Sequence, residues 1–107
     1  MYHLTYRNYS IMTLQNQYHI ALKKHFGFNS FKADQETIIY SIMNNEDVVS
    51  VLPTGSGKSL CYQLPAVLKK GTTIVLSPLI SLMQDQVMQL SKQGISAAFI
   101  NSSNDMM

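Results

Sequence analysis

The chain holds no tryptophan, a single cysteine and a single arginine among its 107 residues. One cysteine, Cys61, excludes an intramolecular disulfide and any multi-cysteine zinc site, and fits a reducing compartment. Charge is scarce as well. Charged residues make up 13% of the chain, and a net charge of +2 is spread along it rather than clustered, so composition neither demands nor excludes a nucleic-acid partner. No apolar run approaches the ~20 residues of a membrane span. The first twenty residues, MYHLTYRNYSIMTLQNQYHI, lack the continuous apolar stretch of a secretory signal. The expectation is an intracellular protein with no membrane partner.

What is present is a chain 46% apolar, enough for one modest core and no more than one domain. Of the seven methionines, Met12 is read as an alternative start and Met106 and Met107 as a terminal tail, so they do not define a soft binding surface. Residues 1–12 are polar and aromatic without a clear period and are expected to form a flexible arm. Residues 13–107 are expected to form one domain.

Hydrophobic spacing then orders the chain. Leu14, Tyr18, Ala21, Leu22 and Phe26 recur every three to four residues, which predicts a helix ending at Gly27. A second helix is headed by Asp34, carries Ile38, Ile39, Ile42 and Met43 on one face, and closes at Asn44 and Asn45. The run DVVSVL at 47–52 reads as a strand followed at once by a tight loop at Pro53, Gly55 and Gly57, with a further helix from about Lys58. TTIVLS at 72–77 reads as a second strand. Leu79 to Leu90 follows as a helix with Ile80, Met83, Val87 and Leu90 on one stripe, and SAAFI at 96–100 is a third apolar stretch. Strands alternating with helices predict an α/β fold, a parallel sheet flanked by helices with right-handed crossovers. Three strands are few against the usual five to six, so the sheet reads as unfinished.

The segment LPTGSGKS at 52–59 sits between the first apolar run and a helix, the setting that turns a glycine-rich string into a phosphate site. Gly55 and Gly57 let the backbone curl so that successive N–H groups, those of Thr54 and Ser56 among them, face phosphate oxygens, and the next helix adds its positive end. Lys58 is placed to reach the β- and γ-phosphates, and Ser59 to offer its hydroxyl to Mg²⁺. The strict loop pattern opens with glycine, whereas this chain has Leu52. Upstream, Phe28, Lys32 and Gln35 have the chemistry to surround a base: a ring to stack, a cation, and an amide that donates and accepts at once, matching the N6 donor and N7 acceptor of adenine. From residues alone, the same phenylalanine also reads as core packing and Gln35 as a first-turn helix residue.

Three stretches resemble the RecQ DNA helicases of superfamily 2. FGFNSFKADQETII is similar to that family's adenine-recognition motif, VLPTGSGKSLCYQLPA to its phosphate-loop motif, and TIVLSPLISLMQDQV to the motif that follows. The resemblance runs from about Leu22 to Asn101. DEAD-box RNA helicases, which are confusable with it, usually place threonine after the loop lysine and a PTREL-like string later, where this chain has Ser59 and SPLISLMQDQ. The resemblance implies part of a RecA-like P-loop NTPase lobe, ATP and Mg²⁺ as cofactors, and DNA as partner. Its activity would be 3′–5′ unwinding in replication, recombination or repair, in the cytoplasm or nucleoid if bacterial. It also implies that Phe28 stacks on adenine, that Gln35 reads its edge, and that Ser77 and Pro78 contact the DNA backbone, although Ser-Pro after an extended run is ordinarily a turn into a helix. Two departures bear on affinity. Lys32 stands where the family usually has arginine, replacing a planar fork by a point charge, and Ala33-Asp34 replaces the common Pro-Gly. His25 and Cys61 are read as structural.

Hydrolysis needs further groups: an acid to hold Mg²⁺, a residue to orient water, and an arginine to offset transition-state charge. The six acidic residues, Asp34, Glu36, Glu46, Asp47, Asp85 and Asp105, include none that directly follows an apolar strand run beyond the loop, and the only arginine is Arg7. The expectation is an N-terminal segment of a first helicase lobe that on its own neither hydrolyses ATP nor unwinds DNA. Two other readings stay open: a stand-alone adenine-nucleotide-binding module or regulator without catalysis, and an unrelated P-loop phosphotransferase, which would not require Phe28 and Gln35.

Overall fold

The computed structural model describes residues 16–53, 55 and 57–101. The arm expected at 1–12 with Arg7 and Met12, the helix start at Leu14, the loop residues Thr54 and Ser56, and Asp105, Met106 and Met107 lie outside the described residues. The chain divides into two compact units, Met1–Gly71 and Thr72–Met107.

In the first unit, helix α1 begins with α-helical residues 16–21 and passes directly into a π-helical turn, Leu22–Phe26. It stops at Gly27, whose φ of 77° is left-handed and whose N–H donates to the Lys23 carbonyl, a common way for a helix to end. Helix α2 spans Gln35–Met43 and helix α3 spans Leu60–Leu68. These helices form because their apolar residues recur at helical spacing, and they persist because those stripes meet. Tyr18, Ala21 and Leu22 of α1, Ile39 of α2, and Leu60 and Leu64 of α3 form one buried cluster, with Phe26, Phe31, Tyr40, Met43 and Leu68 packed around it. Leu22, Ile39 and Leu64 are fully buried, each contributing about 1.5–3 kcal/mol relative to exposure. The Tyr18 and Tyr40 rings meet edge-to-face with centroids 5.0 Å apart, and His19 meets Phe31 in the same manner at 5.0 Å. Burial by this cluster pushes the Tyr18 phenol above its ordinary value. Lys69 Nζ, just past α3, donates to Asn45 Oδ1 at 2.8 Å.

The second unit carries helix α4, Ile80–Lys92. Its expected stripe is only partly covered: Met83, Val87 and Leu90 are half-buried, Ile80 is exposed, and no α4 residue is buried.

The expected parallel sheet is not there. The described residues hold four helices and no strand, with Asn101 an isolated bridge residue. The run 47–52 leaves Val49 97% and Val51 93% exposed, and the run 72–77 leaves Ile74 81% and Leu76 92% exposed. In the run 96–100, Ile100 is exposed too. β-Branched residues favour an extended backbone, but a sheet is held by ladder hydrogen bonds and cross-strand side-chain pairs. Among the described residues none of the three runs has a ladder neighbour, so propensity for extension is present without a sheet. The period-two alternation of a strand is nevertheless realised along the first run. Val48, Ser50 and Leu52 line a cavity of about 460 Å³ together with Ile38, Ile42 and Cys61, while Val49 and Val51 stand outward.

Candidate nucleotide site

The site is built where the start of α2 meets the loop before α3. Just ahead of α2, the Gln35 N–H donates to the Lys32 carbonyl at 3.0 Å, and the Lys32 N–H donates back to Gln35 Oε1 at 2.7 Å. This side chain, reaching back three residues, closes the turn that leads into α2. Asp34, which heads α2, makes no side-chain cap hydrogen bond. The turn requires Ala33 at φ 36°, a left-handed value that alanine adopts at a cost of roughly 1 kcal/mol. Proline, fixed near φ of about −65°, would not fit this turn.

The other end of the Gln35 amide crosses to the loop, where Nε2 donates to the Gly57 carbonyl at 2.9 Å. Gln35 is 4% exposed, and it is the buried polar residue on which both sides of the site converge. Gly57 sits at φ 77°, and a Cβ placed there would collide with Gln35 Nε2. The glycine is therefore demanded twice, by the backbone angle and by the amide lying against it.

Gly55 is also left-handed, at φ 83°. Lys58 and Ser59 form the turn into α3, in which the Lys58 carbonyl accepts from the Cys61 N–H at 3.1 Å and the Ser59 carbonyl from the Gln63 N–H at 3.0 Å. Lys58 is exposed and Ser59 half-buried. The arrangement places a free-standing ammonium and a hydroxyl at the N-terminal end of a nine-residue helix, where backbone N–H groups and the helix dipole favour anions.

Around the adenine side, Phe28 is 53% exposed, which removes the core-packing reading of that ring; Phe31 is the phenylalanine that packs on the core. Lys32 is exposed, and its backbone rather than its ammonium is what holds Gln35. Thr54 and Ser56, expected loop residues, are outside the described set. In the second unit, Ser77 Oγ accepts the Leu79 N–H at 3.2 Å, a serine turn of the ordinary kind leading into α4, and Pro78 beside it is exposed.

Sequence reasoning did not anticipate the cavity beside Lys58, to which Glu46, Asp47 and Tyr62 also contribute. Nor did it anticipate the bond from Gln35 to Gly57. Twenty-two positions separate that pair, and no local pattern links them. Cys61, buried in the first turn of α3, has its thiol pushed up by burial, partly offset by a backbone hydrogen bond. That keeps it protonated and unreactive, in line with a structural role.

A DEAD/DEAH box helicase family model matches residues 32–105. The chain belongs to that family. Within it, the chain is similar to RecQ-type DNA helicases. It is 55% identical over 82 residues to the ATP-dependent DNA helicase RecQ of Haemophilus influenzae, covering 77% of this chain and 13% of that protein. It is 53% identical over 79 residues to the ATP-dependent DNA helicase Q-like 2 of Arabidopsis thaliana, covering 74% and 11%. Against the RecQ of Bacillus subtilis it is 49% identical over 82 residues, covering 76% and 14%. The chain thus spans between 11% and 14% of the length of these relatives. Among the described residues, no helix is long and apolar enough to cross a membrane.

Proposed function

We propose that this chain is the adenine-nucleotide-binding portion of an ATP-dependent 3′–5′ DNA helicase that unwinds duplex DNA in replication, recombination or repair. The observation that carries the reading is the Gln35 hydrogen bond to Gly57, because it ties an adenine-recognition segment to a phosphate loop, a link that an unrelated phosphotransferase would not need. The relatives, named as ATP-dependent DNA helicases, support the same activity.

In this reading the triphosphate lies against Thr54, Gly55, Ser56 and Gly57 at the head of α3, and Lys58 contacts the β- and γ-phosphates. Ser59 gives its hydroxyl to Mg²⁺, which needs oxygen ligands. Phe28, exposed ahead of α2, stacks on the base and Lys32 adds charge, while Gln35, buried and bonded at both ends of its amide, meets the base edge on releasing one of those bonds. The donor set suits the ligand: a cation and a hydroxyl at a helix N-terminus for the phosphates, an exposed ring and an amide for the purine. DNA contact falls to Ser77 and Pro78 at the entry to α4. The bound nucleotide supplies phosphoryl-transfer chemistry, but no acid of this sequence directly follows an apolar run beyond the loop, and its one arginine is Arg7. Loss of an arginine finger alone reduces rate by about 10³–10⁵, so the 107-residue chain neither turns over ATP nor unwinds DNA.

Fluorescent ATP and GTP analogues titrated with Mg²⁺ test the proposal. The expected result is adenine preference that disappears in Gln35→Ala, and a loss of binding of about 10–100-fold in Lys58→Ala, the range for a charge-assisted contact of about 1.5–3 kcal/mol. Equal ATP and GTP binding, insensitive to Gln35, would refute it, and DNA-stimulated ATPase in the pure chain would refute the inactivity.

A further inference from the structure

We propose that Gln35 is a positioning residue for the phosphates as well as a contact for the base: its amide fixes the Gly57–Lys58 peptide so that the Lys58 N–H is turned toward the bound anion. The inference rests on the reading of 52–59 as a phosphate loop and deepens it.

Gln35 Nε2 donates to the Gly57 carbonyl at 2.9 Å. That carbonyl and the Lys58 N–H belong to one peptide unit, and among the described residues no peptide is cis. In a trans unit the two groups point in opposite directions, so a carbonyl turned to Gln35 turns the Lys58 N–H away from it. Among the described residues that N–H donates to no acceptor. It stands as a donor on the face opposite Gln35, just ahead of α3, where anions are favoured.

Glycine is the reason an outside hold is needed. A peptide plane beside glycine turns at little steric cost, and Gly57, at φ 77°, has no side chain to restrain it. The plane on the far side of Lys58 is held by its neighbour, since the Lys58 carbonyl accepts from the Cys61 N–H at 3.1 Å. The near plane is held from Gln35, twenty-two positions earlier. The approach is close enough that a Cβ on Gly57 would strike Nε2. Both planes flanking the Lys58 Cα are thus fixed, and with them the point from which its ammonium reaches.

The two ends of the amide differ in what they can give up. Oε1 accepts from the N–H of Lys32 at 2.7 Å, and Lys32 is exposed, so water can take over that donor. Gly57 is half-buried, and its carbonyl has no such easy replacement. The bond released to the adenine edge is therefore the one to Lys32, while the bond to Gly57 persists with nucleotide bound. Base recognition and phosphate positioning then share one side chain without competing.

Calorimetric titration of the 107-residue chain with Mg²⁺ and inorganic tripolyphosphate, ATP or GTP is the test. Tripolyphosphate has no base, so Gln35 can affect it only through the loop. Gln35→Glu keeps an oxygen for the Lys32 N–H and loses the donor to Gly57; Gln35→Met keeps the length and loses both. Each is expected to weaken tripolyphosphate and GTP by about 3–10-fold, the worth of one hydrogen bond, and ATP by at least as much. The Lys58 amide proton should move downfield when tripolyphosphate is added to the unmodified chain, and less in the variants. Ile39→Val, a core change that lowers stability, should leave tripolyphosphate binding unchanged, which separates positioning from loss of stability. Should neither variant fold, the Gln35 side-chain NH₂ signals of the unmodified chain decide: they keep a hydrogen-bonded position with ATP bound, and losing it would overturn the inference. Weakened ATP binding with tripolyphosphate and the Lys58 amide unaffected would overturn it too, leaving the nucleotide reading intact. No binding of any of the three ligands by the unmodified chain would overturn both.

Discussion

Replacing Gly57 by alanine tests the geometry that joins the two halves of the site. Two separable costs are expected. The backbone at φ 77° is left-handed, which disfavours alanine by about 1–2 kcal/mol. The new Cβ also collides with Gln35 Nε2, and that amide is not a flexible end free to swing aside. Its oxygen is held by the Lys32 N–H at 2.7 Å and its nitrogen by the Gly57 carbonyl at 2.9 Å, and the residue is 96% buried by its 4% exposure. Moving it breaks at least one hydrogen bond worth about 1 kcal/mol and leaves a buried group underserved, so the collision adds about 1–2 kcal/mol. Gly57→Ala is therefore expected to cost about 2–4 kcal/mol.

Gln35→Ala alone should cost about 1–2 kcal/mol through its two hydrogen bonds. In the double variant there is no amide left to strike, so the collision vanishes and only the backbone strain and the lost bonds remain. Urea unfolding of the four proteins should show the double variant about 1–2 kcal/mol more stable than the sum of the single effects, a coupling well above the ~0.5 kcal/mol within which independent sites add. Gly55 supplies the control. It has a similar φ of 83° but nothing within 4 Å of its would-be Cβ, so Gly55→Ala should carry only the strain cost and add cleanly to Gln35→Ala. Additivity at both glycines, or coupling at Gly55 equal to that at Gly57, would refute the argument.

Three further outcomes are expected. Leu64→Ala, in the fully buried centre of the cluster, should lower stability by about 2–5 kcal/mol in the same unfolding assay, enough to threaten folding. Lys32→Arg should tighten binding of an ATP analogue about 3–10-fold by restoring a planar fork, with unchanged stability because the Lys32 contribution to the fold is its backbone N–H; unaltered affinity would argue against a nucleotide contact at this position. Burial raises the Cys61 thiol above its ordinary 9.0 and the Tyr18 phenol above its ordinary 10.0. The folded state thus keeps protons that the unfolded chain releases. The stability linked to these groups is complete below those ordinary values and is lost as pH rises past them. Urea midpoints measured from neutral to strongly alkaline pH should be flat at first and then fall, with Cys61→Ala delaying the onset, and a midpoint that rises above the thiol value would contradict the assignment.

How much of this was legible in the sequence depends on the range over which each feature is decided. The helices around Tyr18 and Ile39 were readable because the stripe that marks a helix is the same stripe that buries it, whereas the helix around Leu64 was expected only from its place after the loop. The tight turn at Gly55 and Gly57 was readable because both residues adopt the left-handed angles that glycine favours. Gln35 was half readable: its chemistry and its place in the first turn were evident, but its bond to Gly57 depends on how two helices pack, and spacing carries no trace of that. The misreading lies in the runs at 47–52 and 72–77. Their residues favour extension and even alternate correctly, with Val48, Ser50 and Leu52 toward a cavity and Val49 and Val51 away from it, yet alternation describes one strand and a sheet is a property of two. Helical pattern carries its hydrogen-bond partner four residues away in the same segment. An extended pattern carries none, so the inference from β-branched runs to a parallel sheet assumed neighbours that the described residues do not provide.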